Sequence, residues 1–165
     1  PTLALAFFIG RLFNPSSITI YVFIRTRQSW QMLKKIVEDE YAGNRCHTHE
    51  WLNPDSMQVL SAFNRLDGKA FSSTVFFFSD QTLMHIGGGA ADQYVVFIAQ
   101  DVDQSLQTLL SADTPDDQRV ELVAGGQSGS YPRYQCVAKE RARQALAYFS
   151  AYGSADPDLA WEVEG

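Results

Sequence analysis

Cysteine is scarce in this 165-residue chain: Cys46 and Cys136 lie far apart, with no Cys-x-x-Cys anywhere. That excludes a zinc knuckle and a disulfide-dense scaffold, and the expectation is two reduced thiols in a cytoplasmic protein. Long apolar runs are also missing. The longest opening run, Pro1 to Gly10, falls well short of the roughly 20 residues a bilayer demands, and no basic flank precedes it as in a secretory signal. Residues 1–17 are therefore expected to form an apolar arm, with residues 18–165 as one domain. Basic charge is in short supply as well, 13 Lys and Arg against 19 Asp and Glu for a net charge of −6. Duplex affinity comes largely from cations that neutralise phosphates, so no nucleic-acid partner is expected, and no membrane partner either.

What the chain has in quantity is core-forming material. Hydrophobic residues make up 45% and aromatics 13%, enough apolar surface to offset the entropy of ordering and to argue against disorder. The acidity is unevenly placed. Residues 1–90 carry eight Lys and Arg against seven Asp and Glu, whereas residues 91–165 carry five against twelve. A field of one sign steers oppositely charged partners, so a macromolecular partner should present a basic surface.

Periodicity supplies the elements. Ile18, Ile20, Val22 and Ile24 alternate on one face and predict a strand. Ser29 as a cap, then Trp30, Leu33, Ile36 or Val37, and Tyr41 at three-to-four spacing up to Gly43, predict an amphipathic helix. Residues 44–53 look polar and irregular, giving a long loop over 42–56. Pro54 and Asp55 or Ser56 open a second helix with Met57, Leu60, Phe63 and Leu66 as its stripe. From Phe71 onward the pattern turns to strands: 73–78 and 82–86 as a hairpin, then 93–99 after Gly87-Gly88-Gly89 breaks the chain. The acidic stretch 101–117, with Leu106, Leu109 and Leu110, reads as a short helix or a loop. Arg119 to Ala124 and Ser130 to Val137 flank a glycine-rich, flexible tip. Lys139 to Tyr152 is a helix closed by Gly153, and Leu159 to Val163 a last strand. The central connections are too short for crossover helices, so the sheet should be mainly antiparallel, an α+β fold with helices packed on it near both ends of the chain.

Catalytic chemistry is thinly represented. His47, His49 and Glu50 form the nearest approach to a metal cluster, yet histidines two apart share a side only on a strand, and no third ligand has a readable spacing. A small metal-dependent or hydrolytic enzyme using those three residues is the alternative reading; the preferred one has no metal, no cofactor and no catalytic residues. The glycine clusters lack a following Gly-Lys-Ser/Thr and lie between strands, which suits turns better than phosphate loops. Cys46 beside His47 is not a nucleophile–base pair, because adjacent side chains rarely face one another. Phe76-Phe77-Phe78 lacks the interleaved cations of a single-strand binder and reads as a core strand.

One ordered set of residues points to a family. Tyr94 to Ile98, then Val120-Glu121-Leu122-Val123-Ala124-Gly125-Gly126-Gln127, Tyr131-Pro132, Val137, a helix with Ala142, Ala145 and Phe149-Ser150, then Gly153, Pro157, Leu159 and Trp161-Glu162 together resemble the immunity proteins of bacterial polymorphic toxin systems, in particular their deaminase-associated family. The resemblance runs over about residues 70–163, with a looser echo in the first strand and helix. It implies a small cytoplasmic α+β inhibitor, not an enzyme, that binds a cognate secreted toxin domain and covers its active site. The target implied is a nucleic-acid-directed toxin such as a deaminase. Such a toxin presents cations, which suits the acidic second half of this chain. The expected contacts are Asp101, Asp103, Asp113, Asp116, Asp117 and Glu121 as an acidic rim, with Tyr131 and Tyr134 as aromatic anchors. Trp161 is expected in the core.

Overall fold

In the computed structural model, residues 33–101, 105–111 and 118–164 are described; the expected arm at 1–17 and strand at 18–24 lie outside them. Strands β1 (Lys35–Ala42) and β2 (Arg45–Leu52) form a hairpin over the two-residue turn Gly43-Asn44, and helix α1 (Ser56–Arg65) follows. Next come β3 (Phe71–Phe77), β4 (Thr82–Gly88), β5 (Gln93–Gln100) and β6 (Ser105–Leu109). A second hairpin, β7 (Arg119–Ala124) and β8 (Gln127–Pro132), precedes the two-residue β9 (Val137–Ala138), helix α2 (Lys139–Tyr152) and β10 (Trp161–Glu164). The main sheet runs β10-β6-β5-β4-β3-β1-β2, every pair antiparallel, with β9 beside β6 on the same edge of β5. The expected antiparallel α+β class is observed. The helices are α1, after the first hairpin, and α2, before the last strand.

Several expectations are corrected. The part of the 29–43 helix that falls within the described residues is strand β1: Ile36 and Glu38 point to the buried face and Val37 to the other, and Gly43 turns a hairpin instead of stopping a helix. Strand pairing on both sides outweighs the helix-favouring Lys35, Glu38 and Glu40 there. The 42–56 loop is mostly β2, the edge strand of the sheet among the described residues and exposed along nearly its whole length, so no apolar alternation announces it. Of the leucines of the acidic connection, Leu106 and Leu109 belong to β6, with Leu109 buried, and Leu110 follows the strand.

Both helices pack on one face of the sheet. There Ile36, Phe76, Met84, Ile86, Val96 and Ile98 meet Val59, Ala62, Phe63 and Leu66 of the α1 segment and Ala142, Ala145, Leu146 and Phe149 of α2. Helix α1 starts at a capping box, Asp55 accepting from the Gln58 N–H at 2.8 Å and Gln58 accepting from the Asp55 N–H at 2.9 Å. Its buried stripe is Val59, Ala62, Phe63 and Leu66; of the expected stripe, Met57 is 74% exposed and Leu60 41%. The helix is rotated so that the smaller Val59 and Ala62 approach the sheet. Glu38, 2% exposed, is held through Oε1 by two Arg65 nitrogens, both at 2.8 Å, and the Arg65 guanidinium also lies over Trp51 and Phe71. Helix α1 is thereby clamped to β1, β2 and β3.

The second hairpin covers part of the opposite face. Leu122, with Val120, Ala124 and Tyr131, packs on Val95 and Cys136. Gly87 makes this possible: a Cβ there would stand 2.6 Å from that of Ala124. Gly126, at φ +72°, lies against the Tyr41 ring and donates its N–H to Ser72 Oγ at 2.8 Å. The tip expected to be flexible is therefore the two residues Gly125-Gly126, tied to the main sheet, and Gln127 to Gly129 belong to β8. Gly87 and Gly88 continue β4 instead of breaking it.

Candidate functional site

Of the proposed acidic contacts, Asp101 and Glu121 fall among the described residues. Asp101 is exposed in the turn after β5, while Ser111 and Gln118 lie beyond the other end of β6. The five residues of β6 alone place at least about 14 Å between them. Ser111 donates its N–H to the Tyr134 carbonyl at 2.6 Å, and Gln118 accepts from the Arg133 N–H at 2.9 Å, so the intervening segment begins and ends at the same 3-10 turn. Asp113, Asp116 and Asp117 belong to that segment and, with Asp103, lie outside the described residues. Glu121 is exposed on β7. Tyr131 is on the other side of the hairpin, packed on the Val95–Leu122–Cys136 cluster, and so acts as a support for the hairpin. Tyr134 is half-buried, with its carbonyl anchoring Ser111.

The histidine cluster resolves differently from a metal site. Because β2 is a strand, His47 and His49 do share a face, and Glu50 is on the other, 3.8 Å from Lys35 Nζ. His49 Nε2 pairs with Glu40 Oε2 at 2.8 Å and its ring stacks on Trp51. Among the described residues no group of three His, Cys, Asp or Glu side chains is placed to hold a metal ion. Of the two thiols, Cys46 is exposed and Cys136 buried, where desolvation raises its pKa.

The feature that the sequence reading missed is the other half of the sheet face under the second hairpin. Two cross-strand rows run over it. One reads Glu50, Val37, Val75, His85, Phe97, Thr108 and Glu162; the next reads Leu52, Lys35, Phe77, Leu83, Ala99, Leu106 and Glu164. The apolar members between the two ends are partly exposed and belong to neither buried cluster. His85 packs edge-on against Phe97, and burial pushes its imidazole pKa down to about 4. The signal was present in the sequence: β3, β4 and β5 are apolar on both faces, whereas a strand with one solvated face alternates.

The residues behind the family resemblance are mostly framework. Gly153 closes α2 by donating its N–H to the Phe149 carbonyl at 2.8 Å. Asp156, buried, accepts from Gln144 and from the Asp158 N–H, and its carbonyl accepts from Trp161 Nε1 at 3.0 Å. Glu162 accepts from Gln135 at 2.8 Å. Trp161 packs against the main core, as expected.

These features define an antiparallel α+β domain with its helices on one sheet face and a partly open second face. The chain belongs to the Imm1 immunity protein family, whose model matches residues 25–163 and so takes in β1, β2 and α1 as well as the later strands. No curated protein and no solved structure gives a significant match. Membership points to toxin neutralisation by a non-enzymatic inhibitor with a cognate toxin as partner. No helix among the described residues is long and apolar enough to cross a membrane.

Proposed function

We propose that this protein neutralises a cognate secreted bacterial toxin domain in the cytoplasm by binding it and covering its active site, the target being a nucleic-acid-directed toxin such as a deaminase. The observation that carries the reading is the Imm1 family match over residues 25–163. The charge distribution supports the class of target. A toxin that handles nucleic acid displays Lys and Arg, and twelve acidic residues in 91–165 create a field that speeds its capture and disfavours acidic competitors. Asp101, Asp103, Asp113, Asp116, Asp117 and Glu121 supply that field in this reading, with Tyr134 beside the turn where the 112–117 segment begins and ends.

The test is co-expression with the toxin domain encoded beside this chain, followed by kinetics on the purified pair. Growth should be restored, and the association rate should fall steeply as salt rises toward a Debye length of about 8 Å at 0.15 M. A toxin that stays lethal beside a folded, expressed inhibitor refutes the proposal.

A further inference from the structure

We infer that the half of the sheet face left uncovered by the described residues, centred on Val75, Phe77, Leu83 and Phe97, is the surface that grips the toxin, through an aliphatic or aromatic anchor ringed by Lys and Arg on the partner. The inference rests on the immunity reading above and adds where on this chain the partner docks.

The contrast between the two faces of the same strands is the starting point. Phe76, Met84, Val96 and Ile98 are buried under the helices, whereas their neighbours Val75, Phe77, Leu83 and Phe97 are partly exposed. Strands bearing large apolar residues on both faces belong to sheets covered on both sides, and an antiparallel sheet with one wet face puts polar residues there. The second hairpin covers only the end of this face near Gly87 and Val95. From β1 to β6 the remaining platform spans roughly 20 Å, at about 4.8 Å per strand. Exposed apolar patches on that scale, rimmed by polar groups, mark interaction sites.

The rim identifies the partner's chemistry. Glu50, Asp80, Asp101, Glu162 and Glu164 border the platform against Lys34 and Lys35. Both lysines already have carboxylates, Lys34 with Asp80 at 3.7 Å and Lys35 with Glu50 at 3.8 Å, and Lys35 also lies over the Phe77 ring. Among the described residues, Asp101, Glu162 and Glu164 have no cation paired with them. An apolar centre inside an acidic rim is complementary to an apolar anchor inside a basic one, and anchors seated in desolvated centres carry most of an interface's affinity. His85 underlies the platform against Phe97, its Nδ1 buried and, among the described residues, without a hydrogen-bond partner.

The experiment uses the full chain and its cognate toxin domain. Phe97→Lys and Leu83→Lys each place a like charge where the basic partner docks, and Met57→Lys adds the same charge to the exposed side of α1. The two platform variants should raise Kd by at least about thirtyfold and fail to rescue growth, while Met57→Lys changes Kd less than about threefold. Hydroxyl-radical footprinting of the wild-type pair needs no variant: Phe77 and Phe97 should be oxidised in the free chain and protected in the complex. Platform variants that bind and rescue like wild type, or aromatics left unprotected, overturn the surface assignment while the immunity reading stands. A wild-type chain that fails to neutralise the toxin overturns both. Aromatics already protected in the free monomer would assign the platform to residues 1–32 of the chain itself, and a wild-type dimer that Phe97→Lys splits without loss of toxin binding would assign it to a second copy; either result overturns the inference.

Discussion

Replacing Arg65 with Met should destabilise the domain by about 3–4 kcal/mol, chiefly because it strands a carboxylate in the interior. Glu38 is 2% exposed and its Oε1 accepts from Arg65 Nε and from a second guanidinium nitrogen, each at 2.8 Å, while Oε2 has no partner among the described residues. At that distance and an effective dielectric of 20 the attraction is about 6 kcal/mol, most of it offset by desolvation of the carboxylate. Removing one member of a buried pair typically costs about 3–5 kcal/mol, and the lower end applies here because a third of the Arg65 side chain still meets water. Loss of the guanidinium contacts to Trp51 and Phe71 adds about 0.5–1 kcal/mol. For a domain of this size that corresponds to a fall in Tm of about 6–15 °C, read by thermal unfolding and by the urea midpoint. Replacing both partners, Glu38→Leu with Arg65→Met, should recover most of the loss, since no charge is then left buried. An Arg65→Met variant within about 1 kcal/mol of wild type, or a double variant no better than the single one, refutes the reasoning.

Acidification should weaken the fold through His85. Its pKa is about 4 in the folded chain against 6.5 as the ordinary value, so between those limits the unfolded state holds more protons than the folded one. Stability is then full above pH 6.5 and falls as the pH drops toward 4, by about 3 kcal/mol over the window. Urea unfolding of wild type and His85→Leu at pH 7 and pH 4.5 checks this; an equal acid loss in the two proteins rules it out. Thiol labelling of the native chain should modify Cys46 quickly and Cys136 only after denaturation, because Cys136 is buried and its thiol is held above the usual range. Mass spectrometry showing two labels on the native protein contradicts that assignment.

Local pattern carried well where an element's residues interact mainly with near neighbours or with the main core. Lys139 to Tyr152 was legible as a helix from its alanine stripe and its closing glycine, and Asp55 to Arg65 from its cap. The Arg119–Pro132 hairpin announced itself through Gly125-Gly126. Reading failed at β1, β2 and β6, where partners distant in sequence decide the conformation. Glu38 looks like a surface helix residue until Arg65, 27 positions away, is brought to it. Strand β2 is polar and exposed, and among the described residues its pairing with β1 is what makes it a strand. Of the eight proposed contacts, four lie among the described residues: Asp101 and Glu121 are exposed, Tyr134 is half-buried, and Tyr131 packs on the Val95–Leu122–Cys136 cluster, a placement that only the pairing of β7 with β8 reveals.

The sequence by itself determined the composition of the core, the antiparallel α+β class, the uneven charge and the family, since each is a property of residue types and their order. The tertiary structure alone decided which face of each strand the helices cover. That choice matters because β3, β4 and β5 carry apolar residues on both sides, and a strand's period of two cannot say which side is buried. Only the register between distant strands lines up Val75, Phe77, Leu83 and Phe97 into one surface, and only the tertiary structure shows that, among the described residues, the second hairpin stops short of it.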